Sequence, residues 1–82
     1  MLQFVNDLAT LGQRIRHFRT NAGLTLDQLG AAVGVAPSQL SLMENGKREP
    51  RLSLLGSVAD HLGIPVAQLL EPTAPTERAG LE

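Results

Sequence analysis

The chain has 82 residues, enough for one small domain, with a formal net charge of −1 and no cysteine. The missing cysteines exclude a disulfide scaffold, a thiolate zinc site and a cysteine nucleophile. No apolar run approaches the roughly 18 residues that span a bilayer, and the opening MLQFVND lacks the basic start and long apolar stretch of a signal peptide. The expectation is a cytoplasmic protein with no membrane segment.

Apolar residues recur at Leu8, Leu11, Ile15, Phe18 and Ala22, in steps of three and four that mark one helical face. Gly23 supplies a stop, so helix one is predicted over about 7–22, with residues 1–8 as an extension and its start. Thr25 is a good N-cap, and Gln28 completes a Thr-x-x-Gln capping box. Leu26, Leu29, Ala32 and Val33 make the buried stripe of a second helix, which Gly34 stops. Pro37 suits a first helical position, and the third helix buries Leu40 and Met43 before Asn45-Gly46 ends it. A polar loop, KREPR at 47–51, leads to a fourth helix over about Arg51 to Leu62, burying Leu55, Val58, Ala59 and Leu62. Pro65 opens a last short helix, Val66 to Leu70. The polar, proline-containing 72–82 reads as a tail or linker, joining this domain to the rest of a longer regulator. The predicted fold is all-α, five short helices around one core, with the domain at 9–71.

The informative unit is the helix pair at 25–33 and 37–45, joined by a tight glycine-containing turn. Such a pair can brace one helix across a phosphate backbone and lay the second in a major groove wide enough to admit it. At about 100° per residue, Leu40, Met43 and Glu44 share one side of the third helix. Ser38 and Leu42 point nearly opposite, with Gln39 and Ser41 on the flanks. Glutamine and serine can donate to and accept from base edges, and an apolar side chain can meet a thymine methyl. Ser38, Gln39, Ser41 and Leu42 are therefore the candidate base readers. Asn45, Lys47, Arg48 and Arg51 are candidate phosphate contacts. Charge is distributed accordingly: residues 10–52 hold six cations against three anions, while the remainder holds one against five. Arg14 and Arg16 read as solvated surface charges.

The stretch GLTLDQLGAAVGVAPSQLSLMENGKREP, residues 23–50, resembles the phage repressor and Cro family of helix-turn-helix proteins. The shared features are Leu24-Thr25 before helix two, Leu29, Gly34-Val35 in the turn, Met43-Glu44-Asn45-Gly46-Lys47 closing helix three, and the later LGIPVAQLL. The resemblance covers about Leu11 to Leu70. It implies a compact five-helix repressor-like domain that binds double-stranded operator DNA, usually as a homodimer, that pairs Arg19 with Glu44 structurally, and whose helix two faces the DNA backbone at its start, which makes Thr25 a candidate phosphate contact. Pro37 and Ser38 depart from the longer polar side chains such repressors often present, so few direct base contacts are expected. Val66, Leu70 and the unassigned Phe4-Val5 are candidate dimer contacts.

His17 and His61 lack neighbours at ligand spacing, so no metal is expected. No Ser-His-Asp set converges and no glycine-rich phosphate loop occurs. Five small helices leave no room for a sizeable cleft, so neither an enzyme, a cofactor nor a small-molecule site is expected. The function read here is the DNA-reading domain of a transcriptional regulator. One alternative keeps the fold but changes the partner, as in an antitoxin that covers a toxin. Another, a chromosome-associated protein without sequence preference, needs more cations than this chain has.

Overall fold

The structure, a computed structural model, describes the backbone of residues 2–70 and the side chains of residues 8–70. Five helices follow one another there: α1 (Leu2–Asn21), α2 (Leu26–Val33), α3 (Pro37–Glu44), α4 (Leu52–Leu62) and α5 (Val66–Leu70). The expected tail at 72–82 lies outside the described residues, as do the side chains of Phe4 and Val5.

The first helix starts earlier than the expected residue 7, and Phe4 continues the spacing of Leu8, Leu11, Ile15 and Phe18. Of the residues expected as an extension and helix start, those from Leu2 onward already belong to α1. No proline or glycine interrupts the chain before Gly12, and propagation from an established helix is far easier than nucleation. Ala22, expected on the buried face, is exposed beyond the helix end at Asn21.

Local signals set the next boundaries. Thr25 caps α2 with both arms of the capping box: its Oγ1 accepts from the Gln28 amide at 3.0 Å, and its own amide donates to Gln28 Oε1 at 2.9 Å. Gly34 ends α2 at φ 77°, a left-handed conformation that costs a residue with a Cβ strain. Ala36 then lies extended as the N-cap of α3, with Pro37 inside the first turn. Within α2 the buried pair is Leu29 and Gly30, while Ala32 is exposed. At 100° per residue Gly30 lies closer to the centre of the Leu26–Leu29–Val33 stripe than Ala32 does.

Every helix contributes to one core. Ile15 from α1, Leu29 from α2, Leu40 and Met43 from α3, Leu55, Val58 and Ala59 from α4, and Leu69 from α5 are all buried. Each large aliphatic side chain among them contributes about 1.5–3 kcal/mol by leaving water. Helix α3 packs on both α1 and α2, and α4 packs on α1, α2 and α5. Arg14, read as a surface charge, is instead half-buried: its Nη1 donates to the Gln68 carbonyl at 3.1 Å and ties α1 to α5. The aliphatic stem of an arginine can cover apolar surface while its head finds a partner. Arg16 is exposed.

Candidate nucleic-acid interface

Helix α3 divides its eight residues between two environments. Leu40, Met43 and Glu44 face inward and are buried. Ser38 and Leu42 are exposed, and Gln39 and Ser41 are half-buried at the edges. The outward strip of α3 therefore carries hydroxyls, an amide and one apolar side chain, and no charge.

The single charged residue of α3, Glu44, is 6% exposed and is held by Arg19. Arg19 Nε donates to Glu44 Oε2 at 2.6 Å and Nη2 donates to Oε1 at 3.0 Å, a two-pronged pair that fixes both planes. A third donor, Arg19 Nη1, reaches the Leu24 carbonyl at 2.8 Å. One guanidinium thus joins the chain just before the α2 cap to the carboxyl end of α3. Loss of either partner would strand a buried charge, at about 3–5 kcal/mol.

Gly12 sets how closely α3 can approach. A Cβ there would fall against the main-chain carbonyl oxygens of Met43 and Glu44, so α1 and the end of α3 meet backbone to backbone. Only a residue without a side chain allows that approach. A lone glycine inside a helical pattern is the available sequence signal for such packing.

The candidate contacts come from the start of α2, the end of α3 and the loop after it. Thr25 is exposed at the amino end of α2, where the helix dipole favours a phosphate oxygen. Its neighbour Leu24 is linked through Arg19 to Glu44, which adjoins Asn45. Asn45 is exposed, but its Nδ2 already donates to the Ser41 carbonyl at 2.8 Å and lies 3.5 Å from Ser41 Oγ. Part of its donor capacity thus closes the end of α3. Lys47, Arg48 and Arg51 are exposed. Arg48 and Arg51 share an open groove of about 420 Å³ with Gln39, Ser53 and Ser57. Ser53 and Ser57 belong to α4 and were not singled out by local pattern, because only the fold brings them beside the loop.

Among the described residues no group of three His, Cys, Asp or Glu side chains could hold a metal ion. No helix among them is long and apolar enough to cross a membrane.

A second shallow groove, about 490 Å³, is lined by Leu8, Leu11, Pro50, Leu52, Leu55 and Leu70, with Glu49 at its edge. Leu52 is 70% exposed and Leu70 47%, while Val66, at 36%, is exposed on the same short α5.

Comparison with known proteins places this geometry. Residues 10–71 match the family model described as a helix-turn-helix domain. The chain is 37% identical to the transcriptional regulator SinR of Bacillus subtilis over 71 residues, 85% of this chain and 64% of SinR. It is 38% identical to the regulator DdrOP3 of Deinococcus deserti over 61 residues, 74% of this chain and 47% of that protein. The chain thus spans about half to two thirds of the length of these relatives. The crystal structure of the clp gene regulator ClgR from Corynebacterium glutamicum superposes with a TM-score of 0.76 at 37% identity, covering 89% of this chain and 78% of that one. SinR solved in complex with DNA superposes at 0.69 and 37% identity, covering 74% of this chain and 98% of that one. With its five helices and its α2–turn–α3 unit, the chain belongs to the helix-turn-helix domain family, in the form shared with phage repressors and Cro.

Proposed function

We propose that the chain binds double-stranded DNA in a sequence-dependent way, as the DNA-reading domain of a transcriptional regulator, with α3 in the major groove. The observation that carries this reading is the uncharged outward strip of α3, exposed at Ser38 and Leu42 and edged by Gln39 and Ser41. Gln39 at its edge shares a groove with Arg48 and Arg51 of the loop that follows. In this reading Ser38, Gln39, Ser41 and Leu42 touch base edges, and Thr25, Asn45, Lys47, Arg48 and Arg51 touch phosphates. The activity is binding, with no catalytic step and no cofactor, and it belongs with the chromosome in the cytoplasm. The SinR–DNA complex supports the choice of ligand by analogy.

The functional unit in this proposal is a homodimer. One short helix offers few readers, and two-fold pairing doubles them on half-sites roughly one helical turn apart. The exposed apolar side chains of Leu52, Val66 and Leu70 are the surface that a second copy would cover. Selection of duplexes from random DNA, followed by footprinting, tests both statements. The expected result is a two-fold symmetric footprint that weakens as salt rises. Full affinity on a single unsymmetrical half-site would remove the dimer, and no retained duplex would remove the function.

A further inference from the structure

The outward strip of α3 restricts which bases it can select, given the reading of α3 as the base-reading helix. Guanine is most strongly selected in the major groove by a two-pronged arginine or lysine contact, and cytosine by a carboxylate that accepts from its amino group. Helix α3 offers neither. It has no cation, and its one carboxylate, Glu44, is buried and occupied by Arg19. Two outward residues remain that discriminate among bases. Gln39 can pair with adenine at N6 and N7, and the apolar Leu42, 38% exposed, fits the methyl group of thymine. Ser38 and Ser41 can bond to any base and add little direction.

Gln39 lines the same groove as Val35, Met43, Arg48 and Arg51. Three residues of helix rise about 4.5 Å, a little more than the 3.4 Å step between base pairs. With α3 lying in the major groove, that spacing lets Gln39 and Leu42 reach neighbouring base pairs.

We infer that the half-site read by this chain has an A·T core: an adenine opposite Gln39 beside a thymine whose methyl group packs on Leu42. The cations near Gln39, Arg48 and Arg51, serve the phosphates in this arrangement and select no base.

The test begins with selection from random duplex DNA using the whole chain. The enriched duplex is then titrated with the central thymine replaced by deoxyuridine, which deletes only the methyl group, and separately with the adenine replaced by guanine. Native chain should bind the deoxyuridine duplex about fourfold more weakly, the value of one buried methyl, whereas Leu42→Ala should be indifferent to it. The adenine-to-guanine exchange should cost native chain about tenfold and Gln39→Ala little. The deoxyuridine comparison with native chain changes the DNA alone, so it stands whether or not a variant folds. Enriched G·C pairs at these positions, with Arg48, Arg51 or Glu49 reaching the bases, would overturn the inference while leaving sequence-dependent binding intact. So would a native chain indifferent to deoxyuridine. Retention of duplexes without any enriched sequence would overturn it and leave a backbone binder. If no duplex is retained, the DNA-binding reading falls and takes the inference with it.

Discussion

On the inner side of α3, Leu40 and Met43 sit in the core, Glu44 is gripped by Arg19, and the last carbonyls lie against Gly12. On the outer side, less than half a turn away, Ser38 and Leu42 are exposed to solvent. Eight residues thus serve two purposes, with the inner set fixing where the helix lies and the outer set left open for a ligand. The contrast teaches that position and recognition are separable on this helix, and substitutions can test that separation.

The largest effect is expected at Glu44. Glu44→Ala strands Arg19, 11% exposed in its side chain, and should cost about 3–5 kcal/mol of folding stability. Chemical denaturation of the two single variants and the double variant measures it, and zero coupling in that cycle would show that α3 is positioned by other contacts. Next comes Gly12→Ala, which pushes a methyl group against the α3 carbonyls. It should cost about 1–3 kcal/mol and weaken DNA binding indirectly by shifting α3; an unchanged melting temperature would break the argument for backbone contact. Thr25→Ala removes an N-cap and should cost about 1 kcal/mol by the same denaturation assay. If its DNA affinity falls further than stability explains, Thr25 also touches phosphate. The smallest stability effects are expected outside the inner face. Leu42→Ala and Arg48→Ala should each shift stability by less than about 0.5 kcal/mol. Their binding should differ in kind: Leu42→Ala alters preference between sequences, whereas Arg48→Ala weakens all sequences alike and lowers the salt slope by about one unit. Equal loss on operator and scrambled DNA for folded Leu42→Ala would collapse the distinction between the two faces as regards reading.

The sequence made the α2–α3 unit legible because its boundaries are written locally. Thr25 and Gln28 bond to each other, and Gly34, Pro37 and Gly46 each mark a turn through their own backbone. The division of α3 into faces followed from helical period alone, and Glu44 lies inward beside Leu40 and Met43 as that period requires. Two departures were local: Phe4 continues the spacing of Leu8, Leu11, Ile15 and Phe18 and so already pointed to the earlier start of α1, and Gly30 lies nearer the centre of the α2 stripe than Ala32. What escaped was the contact that depends on distant chain, since Arg14 found its acceptor 54 residues away at Gln68. The groove that gathers Gln39, Arg48, Arg51, Ser53 and Ser57 draws on the end of α2 and its turn, α3, the loop after it and α4, so no spacing rule could have assembled it.

The meeting of α1 and α3 at Gly12 has a mechanical consequence. Where helices are separated by side chains, rotamer changes can absorb a small displacement of one before it reaches the other. At Gly12 there is no such cushion: the main chain of α1 bears directly on the carbonyls of Met43 and Glu44. The angle at which α1 crosses the end of α3 is therefore set by main chain against main chain, and a side chain added at Gly12 would have to change it.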